Sequence, residues 1–173
     1  DGHFVVAGTY NTGPGAQQPY LIKSDTDGTI IWEQYLTDDQ LATINSIQET
    51  SEGGFILGGI TNFGGYRGVI AKTNSNGEIE WSKKYTDHGV LLNSIESIAV
   101  ASDGGYIVCG EEDRSGYDFP VRRHVMVIKT DAEGNQQWIH DYALGGRNGN
   151  AYDIQQTPDG GYALAGFMRS EER

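Results

Sequence analysis

The octapeptide Asp103-Gly104-Gly105-Tyr106-Ile107-Val108-Cys109-Gly110 returns as Asp159-Gly160-Gly161-Tyr162-Ala163-Leu164-Ala165-Gly166. An earlier copy reads Glu52-Gly53-Gly54-Phe55-Ile56-Leu57-Gly58-Gly59, and a worn one, Asp1-Gly2-His3-Phe4-Val5-Val6-Ala7-Gly8, opens the sequence. The aromatic positions 4, 55, 106 and 162 are 51, 51 and 56 residues apart. Self-similarity at such a period is the mark of a repeat architecture, in which each unit buries its apolar faces against its neighbours.

A second block lies between these copies. Ile22-Lys23-Ser24-Asp25 leads through Gly28 to Trp32, Ala71-Lys72-Thr73-Asn74 through Gly77 to Trp81, and Ile128-Lys129-Thr130-Asp131 through Gly134 to Trp138. Glycine follows lysine by five residues and tryptophan follows glycine by four in all three. Each unit reads as four short strands. The first is Ile47 to Thr50, Ile98 to Ala101 and Ile154 to Thr157 in successive units. A turn of the Pro158-Asp159-Gly160-Gly161 kind supplies positive φ and leads to a second strand such as Tyr162 to Gly166. The third strand lies near Val125 to Thr130. A hairpin at Asp131-Ala132-Glu133-Gly134 leads to the fourth, where period-2 alternation predicts Ile79, Trp81, Lys83 and Tyr85 on one face. A unit of about 50 residues and four antiparallel strands is the size of a β-propeller blade. Trp32, Trp81 and Trp138 then read as inter-blade core.

Composition agrees. The 173 residues fit one domain or part of one, and 25 glycines suit a turn-rich all-β chain. Acidic residues outnumber basic ones 24 to 12, giving a net charge of −12 that opposes nucleic acid and anionic lipid. No apolar run approaches the ~20 residues of a membrane-spanning helix. The lone Cys109 excludes an internal disulfide. The expected organisation is about 3.25 blades: an incomplete one over 1–36, blades over 43–85 and 94–142, and an incomplete one over 151–173. Propellers typically need four blades or more, and the sequence opens on Asp1 rather than Met. We therefore expect a segment of a larger propeller, completed by further blades of the polypeptide or else by other copies of the chain.

The Asp-Gly-Gly-Tyr strand, the Lys-Thr-Asp-x-x-Gly-x-x-x-Trp block and the Ile-Gln-Gln-Thr strand at 154–157 resemble the β-propeller repeats of large secreted or surface-anchored bacterial and archaeal proteins. The resemblance runs along essentially the whole chain and implies an extracellular or cell-surface setting. The Trp block is also similar to the tryptophan-docking repeat of quinoprotein propellers, with one residue fewer between Asp and Gly. No residues match the quinone or catalytic calcium sites of those enzymes, and a scaffold of this kind also serves non-enzymatic outer-membrane assembly factors.

Asp25-Thr26-Asp27-Gly28 has the alternating acids that begin a calcium loop, but its counterpart Asn74-Ser75-Asn76-Gly77 is neutral, so a hairpin turn is the expectation and calcium the alternative. His3, His88, His124 and His140 show no metal-ligand spacing; His140 is expected to pack on the Trp138 face and His124 to flank a strand. Cys109 takes the place of Ala7, Gly58 and Ala165, a small buried position. There is no nucleophile elbow and no phosphate loop, and no catalytic residue or cofactor is assigned. No carboxylate pair stands out by its spacing.

Recognition on a repeat scaffold belongs to its variable loops, which a four-stranded blade sends to one end. These are Thr9 to Pro19, Ile60 to Arg67 and Glu111 to Arg123, with the crossovers Thr37 to Ala42, Thr86 to Leu91 and Ala143 to Asn150. The longest carries Arg114, Tyr117, Asp118, Phe119, Arg122 and Arg123, and His88 and Arg147 fall at the same end. Tyr10, Tyr20 and Tyr66 add stacking surfaces. The expected function is a non-enzymatic binding or structural module that recognises protein or glycan. The alternatives are part of a quinoprotein-like oxidoreductase or propeller hydrolase whose site needs further blades, and an architectural repeat of a filament or surface layer.

Overall fold

Short alternating runs broken by Asp-Gly turns can bury a face only against another sheet. In the computed structural model they form thirteen strands and, among the described residues, no helix. The structure describes residues 2–13, 16–37, 41–61, 65–85, 92–113, 123–143 and 148–169. β1 (Phe4–Gly13), β2 (Ala16–Ser24) and β3 (Ile30–Tyr35) make a first antiparallel sheet. β4 (Thr43–Glu49), β5 (Phe55–Thr61), β6 (Arg67–Thr73) and β7 (Ile79–Lys84) make a second. β8 (Leu92–Val100), β9 (Tyr106–Asp113), β10 (Arg123–Thr130) and β11 (Gln136–Tyr142) make a third, and β12 (Asn148–Gln156) and β13 (Tyr162–Arg169) a fourth. Strand order follows the chain in every sheet.

Each sheet covers the next. Leu21 of the first packs with Phe55, Leu57, Val69 and Ala71 of the second. The other side of the second, Ile56 and Ile70, packs with Tyr106, Val108, Met126 and Ile128 of the third. Ile107, Cys109 and Val127 pack in turn with Ala151 and Ile154 of the fourth. A fully buried aliphatic side chain of this kind contributes about 1.5–3 kcal/mol.

The repeated tryptophans lie in these seams. Trp32 meets Phe55 with ring centroids 6.3 Å apart, Trp81 meets Tyr106 at 6.1 Å and Trp138 meets Tyr162 at 6.0 Å. Each partner is the aromatic residue of the Gly-Gly-aromatic motif in the following sheet. The glycine of the following hairpin closes the contact: a Cβ on Gly77 would stand 3.1 Å from the Trp32 ring, and one on Gly134 2.7 Å from Trp81. Tyr85 joins this seam, its hydroxyl donating to the Gly134 carbonyl at 2.8 Å.

The first strands of successive units, β4, β8 and β12, also meet across the seams. Ser46 Oγ accepts the Ile98 N–H at 3.2 Å, and Ser97 Oγ accepts that of Ile154 at 3.4 Å while donating to Asp153 at 2.9 Å. Gln48 accepts from the Val100 N–H, and Gln156 accepts from that of Ser102 at 2.7 Å. Side chains of one sheet thus supply partners for backbone N–H groups at the edge of its neighbour, where an unpaired group would be costly.

The recurrent lysine has its own task. Lys129 is buried and bonds Asp103 at 2.8 Å, the Thr130 carbonyl at 2.8 Å and Gln137 at 3.3 Å. Lys72 likewise binds Glu52 and Glu80, both at 2.8 Å. The acids Glu52 and Asp103, which open two of the Gly-Gly turns, are therefore tied to the third strand of their own sheet. The hydrogen bond from Lys129 holds the Asp103 carboxyl below the usual carboxylate range, and Lys72 does the same for Glu52.

Two local expectations are corrected. The register shifts between Lys72 and Thr73, so Ile79 packs on the core shared with the first sheet while Trp81 packs on that shared with the third. A bulge thus breaks the alternation expected to keep both on one face. The strands also run longer than the apolar runs suggested. β1 and β2 extend to Gly13 and Ala16, so most of the segment from Thr9 to Pro19, read as loop, is paired strand. β8 and β12 begin six residues earlier than expected from Ile98 and Ile154, with bulges at Leu92/Ser94, Ile95/Ser97 and Ala151/Asp153.

Gly104 and Gly134 both have positive φ, 82° and 76°, but only Gly134 faces a tryptophan, since a Cβ on Gly104 would meet open space. Gly104→Ala should cost about 1–2 kcal/mol from backbone strain, and Gly134→Ala clearly more, measured by urea unfolding; equal losses would contradict the interlock. A depressed folded-state pKa at Asp103 means that its stabilisation is complete above the unfolded value near ~4. It is lost as pH falls through the lowered folded value. Asp103→Asn should therefore lower the melting temperature at pH 7 and give a shallower acid limb than the parent, whereas parallel limbs would remove Asp103 from the acid response.

Candidate functional site

In the first three sheets antiparallel order brings the end of the strand that follows the Gly-Gly turn, the start of the next and the end of the last to one end. There the register places three positions on one face of each of these sheets. In the third sheet His124 is directly opposite Glu112, and Asp141 is opposite Met126, one diagonal step from His124. The corresponding pairs are Thr61 opposite Arg67 and Val69 opposite Lys84 in the second sheet. In the first they are Tyr10 opposite Gln18 and Tyr20 opposite Tyr35. The scaffold positions repeat; these three do not. They read Tyr10, Gln18 and Tyr35, then Thr61, Arg67 and Lys84, then Glu112, His124 and Asp141.

The third set is the most unusual. Glu112 and His124 are 2% and 6% exposed. His124 Nδ1 and Asp141 Oδ1 are 2.7 Å apart. A ring nitrogen of His124 and one oxygen from each carboxylate lie within 4.8 Å of one another, so these three residues could hold a metal ion. His124 Nε2 is buried and without a hydrogen-bond partner. Asn93 Oδ1 and Ser94 Oγ, on the part of β8 that pairs with Glu111 and Glu112, are also buried and unpartnered.

The first sheet instead offers an aromatic recess of about 320 Å³ lined by Tyr10, Tyr20, Ile22, Glu33 and Tyr35. Tyr10 stands edge-on to Tyr35 at 5.7 Å and tilted to Tyr20 at 6.3 Å. Tyr66 is exposed at the same end of the second sheet. A second recess, about 270 Å³, lies between the second and third sheets, but its cation Lys72 is already held by Glu52 and Glu80.

Of the loop residues expected to bind, Arg123 is described. It is exposed, pairs with Glu111 at 3.2 Å and donates its backbone N–H to Asn148 Oδ1 at 2.9 Å. Arg114, Tyr117, Asp118, Phe119, Arg122, His88 and Arg147 lie outside the described residues. Asp25 Oδ1 accepts the N–H groups of Asp27 and Thr29 at 3.0 and 2.9 Å, and Asn74 Oδ1 those of Asn76 and Glu78 at 2.9 and 3.1 Å. These are the local hydrogen bonds of a hairpin turn. His140 packs on Trp138 at 4.7 Å. His124 lies inside β10 rather than beside a strand. Glu112 and Asp141 escaped sequence reasoning because they stand 12 residues before and 17 after His124; only strand register makes them neighbours. The one available signal was the departure of positions 112, 124 and 141 from their counterparts in the other units.

Neither a protein-family model nor a curated protein matches this sequence. Among solved structures it is similar to a protein of unknown function from Bacteroides caccae, with a TM-score of 0.53 and 15% identity, over 94% of this chain and 49% of that one. The likeness is one of fold, and the chain spans about half the length of that structure.

Cys109 is fully buried, and burial pushes its thiol up to about 12. It should resist a soluble thiol reagent at pH 8 in the native protein and react fully only after unfolding; rapid labelling without denaturant would show that its seam opens.

Proposed function

We propose that the chain is part of a β-propeller that serves as a non-enzymatic recognition module of an extracellular or cell-surface protein, binding protein or glycan at one end of its blades. One observation carries this reading: the contacts between sheets repeat from unit to unit, while the three facing positions at one end carry aromatic, cationic and acidic groups in turn. A constant frame with varied side chains at one end is the layout of a recognition surface.

Exposure supports further blades. Phe4 and Val6 are 59% and 52% exposed, whereas their counterparts Phe55 and Leu57 are 3% and 0% exposed against the preceding sheet. Such an apolar face suits a preceding sheet of the same kind, from the same polypeptide or from another copy. No helix among the described residues is long and apolar enough to cross a membrane.

The test uses the native full-length polypeptide in a glycan array and in pull-downs from its surroundings. A saturable ligand should be found. Tyr66→Ala with Arg123→Ala should weaken it about tenfold or more without moving the melting temperature. Hydrolytic turnover, a bound quinone, or the absence of any ligand in both assays would overturn the proposal.

A further inference from the structure

We propose that Glu112, His124 and Asp141 form a binding site for one divalent transition-metal ion of the zinc class. His124 Nε2 and the Glu112 carboxylate are the ligands, and Asp141 is the carboxylate that orients the imidazole. The inference does not depend on the recognition role above.

Strand geometry supplies the first argument. Three adjacent strands, β9, β10 and β11, each contribute one group to a single face, and a ring nitrogen of His124 and one oxygen from each carboxylate lie within 4.8 Å of one another. A site on paired strands is more rigid than one on loops. The face is the one that carries Met126 and Ile128 into the core shared with the second sheet, so apolar packing continues along the same strand from His124.

The second argument is the imidazole. Asp141 Oδ1 is a carboxylate acceptor 2.7 Å from Nδ1, so Nδ1 is the donor in this pair, and in the neutral ring the lone pair then falls on Nε2. That atom is buried with no hydrogen-bond partner, which costs about 1–3 kcal/mol if nothing fills the role. A histidine that donates one N–H to a carboxylate and presents its other nitrogen is arranged as in metal sites where the carboxylate fixes the tautomer.

The third is charge. Two carboxylates stand beside one imidazole, and Glu112 has almost no access to water. The scaffold does not require this set, because the same positions are Thr61, Arg67 and Lys84 in one sheet and Tyr10, Gln18 and Tyr35 in another. Carboxylates of this kind are ligands for a dication. An imidazole among the ligands favours zinc, cobalt or nickel over calcium or magnesium, which take all-oxygen sets. With two protein ligands, the remaining positions are open to water or to a donor from a bound molecule.

The experiment is titration of chelator-treated full chain with Zn²⁺ and, separately, Ca²⁺ by calorimetry. Co²⁺ absorption and the His124 Nε2 nitrogen shift by NMR serve as independent readouts. One Zn²⁺ per chain should bind, Ca²⁺ at least about a hundredfold more weakly, with the Nε2 resonance moved and the melting temperature raised by zinc. His124→Ala and Glu112→Gln should each abolish binding, and Asp141→Asn should weaken it about 10–100-fold. Circular dichroism checks that each variant folds. If His124→Ala does not fold, Glu112→Gln and the Nε2 shift decide. No zinc binding by the parent, an unmoved Nε2 signal, or full-affinity binding by folded Glu112→Gln would overturn the proposal.

Discussion

A tryptophan ring placed between the aromatic residue and the hairpin glycine of the next sheet is the contact on which this molecule depends. Trp32 with Phe55 and Gly77, and Trp81 with Tyr106 and Gly134, are two copies of one interlock. The glycine matters through what it lacks, since any Cβ at 134 would overlap the Trp81 ring. A hairpin turn, which must be glycine for its backbone anyway, thereby becomes the floor of the neighbouring sheet's largest side chain. Local turn chemistry and long-range packing impose the same residue at the same place, and such agreement between levels favours a single fold.

Polar groups hold the remaining margins. Where β4, β8 and β12 pass one another, Ser46, Ser97 and Gln48 accept backbone N–H groups of the adjacent sheet. At the turn end, Lys72 and Lys129 are anchored by the acids of the Glu/Asp-Gly-Gly turns. Lys129 would be costly in a buried position without Asp103, Gln137 and the Thr130 carbonyl. Two motif residues, lysine in one block and acid in the other, are the two halves of one ion pair in the second and third sheets.

The opposite end obeys different rules. There the positions matched by register share no chemistry: tyrosines, then threonine with two cations, then two carboxylates with a histidine. A frame already satisfied by the seams leaves these positions free to vary, at little cost to the stacking that repeats beneath them. Glu112 and His124 nevertheless sit in buried places, and an imidazole with one buried, unpartnered nitrogen is not what packing alone would select.

Much of the architecture is present in the linear chain. Repetition of Gly-Gly-aromatic and of Lys-x-x-x-x-Gly-x-x-x-Trp determines four antiparallel units, their turns and the place of Trp32, Trp81 and Trp138 between sheets, because turn φ values and period-2 alternation are local properties. The bulges were not legible: Ile79 and Trp81 are two residues apart yet face opposite cores, since the extra residue between them is defined only by the partner strand. Nor was the meeting of Glu112, His124 and Asp141, which stand at no recognisable spacing and touch only through the registers of β9, β10 and β11. Sequence by itself determined where the hairpins turn and which segments are strands; tertiary structure alone decided which face each side chain takes beyond a bulge and which side chains share a site, because cross-strand neighbours are set by register and not by separation along the chain.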